Sequence, residues 1–242
     1  MVRSILYYIL LVVFTLLCFI PFAVLFLLTV LFDRERVVLH WASRMWSYGI
    51  FRLCPWWRIR IEGAEKIDRS RPWVIVTNHQ SMLDIPLMYV LPTTFKWVSK
   101  KEVQKMPVFG WVLWMHGDIP VERGSRGSAK QMLERCRQRL SRGTSVIVFP
   151  EGTRTKTGEI GRFKDGAFLV AKHAGVGIQP VVIDGTWSLM KGWRVRMPHT
   201  FRVRVLDPIP PERVASSEAR ELAGRTEALM KEAHGRMLSE GK

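Results

Sequence analysis

The chain has 242 residues, 37 Lys and Arg against 21 Asp and Glu, a formal net charge of +16, and 48% hydrophobic residues including 10 Trp and 12 Phe. So apolar a composition excludes a disordered polyelectrolyte, and the length suits one domain of roughly 200 residues with an appendage. The three cysteines, Cys18, Cys54 and Cys136, are unclustered and lack zinc-ligand spacing, which excludes a disulfide scaffold and leads us to expect a reducing compartment and no structural metal. The excess of positive charge calls for an anionic partner: nucleic acid, an anionic membrane or a phosphorylated substrate.

From Ile5 to Phe32 there is no charged residue. A helix over that stretch would measure roughly 42 Å against a hydrocarbon core of roughly 30 Å, so the segment belongs in lipid. Pro21 interrupts it, which leaves two geometries open: one kinked spanning helix, or two short helices forming a re-entrant hairpin. A cleaved signal peptide fits less well, because the run is too long and no small-residue cleavage pattern follows Pro21. The basic residues Arg34, Arg36, Arg44 and Arg52 flank its C-terminal side, which places the rest of the chain toward the cytoplasm.

Val37 to Leu53 reads as an amphipathic helix. Val38, Trp41, Met45, Tyr48 and Phe51 recur every three or four residues, whereas His40, Arg44 and Ser47 take other faces. Such a stripe suits a helix lying at headgroup level and equally a helix packed on a soluble core.

The remainder alternates strand and helix patterns. Trp57, Ile59 and Ile61 alternate with Arg58, Arg60 and Glu62, and Trp73 to Thr77 is a continuous run of buried-strand type. Shorter strands are expected over Phe95 to Ser99 and Ile119 to Val121. A helix capped by Ser125 or Ser128 and ended by Gly143 follows, with Ala129, Met132, Leu133, Cys136 and Leu140 on one stripe. Then come a strand (Ser145 to Phe149), a helix (Lys164 to His173), strands over Ile178 to Ile183 and Phe201 to Leu206, and a charged helix from about Ser217 to Leu238. Alternation of this kind predicts an α/β fold, a central mixed, largely parallel sheet with helices on both faces. We expect residues 1–54 to be a membrane anchor with its interfacial helix, and 55–242 a cytoplasm-facing domain.

In α/β sheets, functional groups gather in loops after buried strands. After Thr77 comes Asn78-His79-Gln80-Ser81-Met82-Leu83-Asp84. A neutral imidazole can take a proton from an alcohol near pH 7, and a carboxylate on its other nitrogen fixes the tautomer. The four intervening residues let Asp84 turn back to His79, although Asp84 before Ile85-Pro86 also reads as a helix cap. After Phe149 comes Pro150-Glu151-Gly152-Thr153-Arg154-Thr155, with a glycine, two hydroxyls and an Arg that suit a phosphate cradle or an ordinary turn. Lys156, Arg162 and Lys164 follow closely and tilt the balance toward an anion site.

These two blocks together resemble the paired signature of the glycerolipid acyltransferases, the family of 1-acylglycerol-3-phosphate acyltransferases. Two further blocks agree. Lys100 with Gly117-Asp118-Ile119-Pro120-Val121-Glu122-Arg123 is similar to the family's middle motif, and Ile178-Gln179-Pro180-Val181-Val182-Ile183 to its last. Glu122 stands where many members carry Asp, a change that keeps the charge.

The resemblance implies transfer of a fatty acyl group from acyl-CoA or acyl-carrier protein to the sn-2 hydroxyl of lysophosphatidic acid, giving phosphatidic acid in phospholipid biosynthesis. His79 would be the general base and Asp84 its orienting partner, with no metal and no cofactor beyond the donor thioester. Glu151, Gly152, Thr153 and Arg154 would bind the acceptor, Arg154 at the phosphate, and Lys100 and Arg123 would add positive charge there. Anionic membrane lipids, the lysophospholipid and the acyl donor are the expected partners, and nucleic acid is not, since it gives the apolar N-terminal run no reason. Other acceptors, namely another lysophospholipid, glycerol 3-phosphate or a lyso-aminolipid, stay open, as does a non-catalytic lipid-binding protein of the same fold. Ser81 does not read as a hydrolase nucleophile, because it lies two residues from His79 without a glycine-flanked elbow.

Overall fold

The computed structural model describes residues 2–122 and 126–240. Two helices lead the chain, α1 (Val2–Thr29) and α2 (Val37–Arg52), followed by β1 (Trp57–Glu62), β2 (Val74–Thr77) and the short α3 (Asp84–Met88). Next come β3 (Phe95–Lys100), α4 (Phe109–His116), β4 (Ile119–Val121), α5 (Arg126–Ser141), β5 (Ser145–Val148) and α6 (Gly166–Ala174). The chain closes with β6 (Ile178–Asp184), a small hairpin of β7 (Met190–Lys191) and β8 (Arg194–Val195), then β9 (His199–Val205), α7 (Pro211–Ser216) and α8 (Ala219–Glu240).

Seven strands form one sheet in the order β1-β9-β6-β2-β5-β3-β4. Every pairing is parallel except β6 with β9, so β1 and β9 run against the other five strands. The continuous apolar runs occupy the middle: β2 is buried along its whole length, as is β6 up to its last residue. The alternating β1 sits at an edge, its outward Arg58, Arg60 and Glu62 facing water. Apolar clusters fill both faces. One packs Val76, Val146, Phe168, Val182 and Met230 under α5, α6 and α8, and the other packs Ile75, Leu87, Phe95, Ile147 and Phe201 under α2 and α3.

Of the two geometries expected for the apolar N-terminus, the two-helix hairpin does not form: α1 is one helix with Pro21 inside it. It is long and apolar enough to cross a membrane. It also lies against the body from end to end. Ser4 Oγ accepts from Val195 N–H at 3.1 Å, Tyr8 Oη donates to the Trp193 carbonyl at 3.1 Å, and Tyr7 packs on Trp57 beside β1. Farther along, Trp46 Nε1 donates to Thr15 Oγ1, and Phe26 packs on Trp114, just ahead of β4. The helix thus crosses the sheet from one edge to the other. Gly49 of α2 makes this approach possible, because a Cβ there would meet Phe14 at 2.0 Å.

The α2 stripe turns outward. Val38, Trp41, Met45 and Tyr48 are exposed, whereas Leu39, His40, Ser43, Ser47, Ile50 and Phe51 are buried, so only Phe51 of the expected stripe faces the core. The polar residues expected to lie off the core, His40 and Ser47, are inside it; Ser47 Oγ donates to the Pro86 carbonyl.

Candidate active site

The loop leaving β2 at the C-terminal end of the sheet carries His79. Asn78 pins that loop to β6: its amide nitrogen donates to the Ile183 carbonyl at 2.9 Å, and its oxygen accepts from Ile183 N–H at 2.9 Å. The chain then turns back so that His79 Nδ1 lies 2.7 Å from Asp84 Oδ2. Asp84 starts α3 but does not cap it. The same oxygen accepts from the upstream N–H groups of Gln80 (2.6 Å) and Ser81 (2.8 Å), and the other oxygen accepts from Thr186 Oγ1. Four donors therefore converge on a carboxylate that is fully buried, an arrangement that leaves its side chain one position. With Nδ1 committed to Asp84, His79 Nε2 has no hydrogen-bond partner among the described residues and its ring is 15% exposed. The ring is also fixed in plane, stacked on Phe149 at 3.8 Å between centroids with 13° between planes; Phe149 stacks in turn on Trp97.

The second loop, after β5, is tied directly to the first. Glu151 Oε1 accepts from His79 N–H and Oε2 from Gly161 N–H, both at 2.8 Å, and Thr155 N–H donates to the His79 carbonyl at 2.8 Å. Burial pushes the Glu151 carboxyl above its ordinary range, and the two N–H donors work in the opposite direction. Glu151 thus holds the loop. Gly152 has φ 73°, a conformation that glycine adopts at no steric cost. Thr153 and Arg154 are exposed, and Arg154 has no partner among the described residues, one position before the residue bonded to His79.

Lys100, exposed at the end of β3, lines a 350 Å³ cleft together with Phe149, Gly152 and Lys164. The structure accordingly gathers His79, Asp84, Glu151, Gly152 and Lys100, with Arg154 adjoining. Arg123 lies outside the described residues.

A larger apolar cavity of about 680 Å³ opens between α1, α2 and α4 and reaches Ile85 on the helix that carries Asp84 and Tyr89 just past its end. Trp97, which stacks behind the His79–Phe149 pair, is part of its wall. His116 and Asp118 are its polar corner: Asp118 Oδ1 accepts from His116 Nδ1 and from Trp97 N–H, each at 2.8 Å. Beside them the buried Lys96 donates to the His116 carbonyl at 2.6 Å, and burial lowers its ammonium to about 8, Asp118 offsetting part of that effect.

Sequence reasoning missed Thr186, Gln80 and the stacking role of Phe149. Thr186 bonds Asp84 from 102 positions away, and Gln80 Oε1 accepts from Trp187 N–H beside the same hydroxyl. Thr186 lies two residues past β6, so reading the loop after that strand as closely as the other two would have found it.

A histidine held by a buried carboxylate thus stands at the C-terminal edge of a mixed α/β sheet, beside a basic loop and near an apolar cavity. The chain belongs to the acyltransferase family, whose model, described as Acyltransferase, matches residues 58–184. It is 41% identical over 163 residues to the chloroplastic 1-acyl-sn-glycerol-3-phosphate acyltransferase LPAT1 of Arabidopsis thaliana, a match covering 66% of this chain and 45% of that one. With the human 1-acyl-sn-glycerol-3-phosphate acyltransferase alpha it shares 35% over 171 residues, 69% of this chain and 60% of the relative. The matched stretches are thus between about half and three-fifths of these relatives' length. The crystal structure of the 1-acyl-sn-glycerophosphate (LPA) acyltransferase PlsC from Thermotoga maritima superposes with a TM-score of 0.77 at 25% identity, covering 97% of this chain and 94% of that one.

Proposed function

We propose that the protein transfers a fatty acyl group from an acyl thioester, acyl-CoA or acyl-carrier protein, to the sn-2 hydroxyl of lysophosphatidic acid, yielding phosphatidic acid. The observation that carries this reading is the His79–Asp84 contact of 2.7 Å, which leaves Nε2 without a partner among the described residues, on a loop bonded to the one that carries Arg154. The names of the relatives in Arabidopsis thaliana, human and Thermotoga maritima support the same acceptor.

Nε2 accepts the hydroxyl proton as the acceptor oxygen attacks the thioester carbonyl. The tetrahedral intermediate then collapses, expelling the thiolate, which takes the proton back from the imidazolium. A thioester is already activated, so positioning and deprotonation suffice without a covalent acyl-enzyme. Asp84 fixes the tautomer and stabilises the imidazolium, and Arg154 meets the acceptor phosphate, with Lys100 and Arg123 adding charge. The 680 Å³ cavity is apolar along α1, α2 and α4 and suits an acyl chain running beneath α3.

In this reading residues 1–54 associate with the membrane and 55–242 carry the chemistry on its cytoplasmic face. The contacts of α1 with the body, from Ser4 to Phe26, favour a helix held along the bilayer surface over one that leaves the body to span it. Its outward Leu16, Leu17, Ile20, Leu27 and Leu28, with Trp41 and Met45 of α2 and Trp111 of α4, would face the acyl region. The +16 net charge would add a general attraction to anionic headgroups.

The test is a mass-spectrometric transfer assay on detergent-solubilised protein, with a panel of lysolipids and both donor types. Lysophosphatidic acid should be converted, and His79→Ala should lower turnover by about 10²- to 10⁴-fold, the usual contribution of a general base. Full activity of the variant would remove His79 from the mechanism, and preference for another lysolipid would move the acceptor.

A further inference from the structure

The molecule has a second basic site, remote from His79. A recess of about 420 Å³ opens beside β4, where α1 ends, and its walls include Arg34, Arg36, Arg135, Arg139, Arg142 and Trp114. By strand order it lies three strands from β2, a lateral separation of about 14 Å at roughly 4.8 Å per strand.

The charges there are not balanced. Glu35 pairs with Arg139 at 3.0 Å and Arg142 at 3.2 Å, and the Asp118 carboxylate is turned to His116 and Trp97 N–H. Arg34 and Arg135 are exposed and have no partner among the described residues. Arg135 and Arg139 lie at i and i+4 on α5, with Arg142 just past its end, so three guanidinium groups share the one Glu35 carboxylate and the cluster keeps an excess of positive charge.

Arg36, also in the wall, is committed to the fold. It is a non-glycine residue at φ 55°, ψ 41°, a left-handed conformation with a real cost, and it holds its guanidinium against the α1 terminus, donating to the Val30 carbonyl at 2.9 Å and the Asp33 carbonyl at 3.0 Å. Leu31 and Phe32, which lead the chain to Arg34, are 90% and 74% accessible, and Trp114 in the wall is 65% accessible. An apolar wall next to unpaired guanidinium groups is the surface that an amphiphile with an anionic head would fit.

We infer that this recess binds the phosphodiester headgroup of an anionic bilayer lipid, with its acyl chains lying along Leu31, Phe32 and Trp114. The recess meets the apolar cavity at Asp118, but its arginines stand apart from His79, and the proposal does not rest on the reading of His79. It would fix the α1 terminus and the β4 edge at headgroup depth.

The experiment uses the full chain in an uncharged detergent and titrates dioctanoyl-phosphatidylglycerol by calorimetry, against the Arg34→Gln/Arg135→Gln double variant. Wild type should bind it and not dioctanoyl-phosphatidylcholine, the affinity should fall with salt, and the variant should lose at least tenfold. The variant should keep its melting temperature and its acyl-transfer rate in detergent, because neither arginine holds another residue. Equal affinity in the variant, or equal binding of phosphatidylcholine, overturns the proposal. Inorganic phosphate or CoA displacing the lipid from wild type but not from the variant's residual sites also overturns it, by assigning the recess to a free phosphate or to the donor nucleotide.

Discussion

Asp84 performs two tasks with one side chain. It orients His79, and by accepting from Gln80 and Ser81 N–H it also folds the loop that presents His79. Asp84→Asn should therefore lower kcat by at least a hundredfold with little change in acceptor KM, since an amide cannot accept all four donors or stabilise the imidazolium. Steady-state kinetics in detergent decide this. Arg154 stands apart from that network, so Arg154→Ala should raise acceptor KM more than donor KM, and equal effects would argue against a phosphate contact. Lys96 tests the buried corner instead. Its ammonium is lowered from 10.5 to about 8, so the unfolded chain binds more protons between those values and the native state gains stability as pH rises through them. Lys96→Met removes that dependence. Unfolding profiles should show wild type gaining on the variant by a few kcal/mol from pH 8 to pH 10, and parallel profiles would contradict the burial argument.

Among the elements, those with a strong period were the legible ones. The alternation of β1, the unbroken apolar runs of β2 and β6 and the stripe of α5 each point to one structure, and their observed bounds differ from expectation by a residue or two. What escaped was short or aperiodic. Phe109–His116 is apolar on nearly every side, so α4 carries no face signal, and the two-residue strands β7 and β8 are too brief to show one. At the site, His79 and Asp84 were readable because one loop carries both, whereas Thr186 reaches Asp84 through strand order, which local sequence does not encode. The same limit hid the large cavity, whose walls come from α1, α2 and α4 together. Ala42 lies on its α2 wall, and Ala42→Phe should shift the preferred donor toward chains several carbons shorter while leaving the rate with short donors intact. A donor-length series measured on wild type and variant would show an unchanged optimum if the acyl chain lies elsewhere.

For the whole molecule, α1 is part of the fold as well as a membrane element. Removing residues 1–29 would uncover Trp57 and Trp46 and open the cavity along one side. The truncated chain should then sediment with membranes or aggregates rather than appear as a soluble enzyme, which ultracentrifugation after expression would reveal. A soluble, active truncation would mean that these contacts contribute little.

The pairing of β1 with β9 carries a consequence for how the chain is made. Trp57 aligns with His199 and Glu62 with Arg204, so β1 finds its one sheet neighbour among the described residues only after β9 has been translated. At 5–20 residues per second the wait is on the order of ten seconds. Through that interval β1, with both backbone edges bare, is tethered a few residues behind α2, whose Trp41, Met45 and Tyr48 already face outward. β1 therefore stays an unpaired edge until β9 arrives, and the apolar faces of α1 and α2 just ahead of it offer a surface by which this part of the chain is held apart from other exposed edges in the meantime.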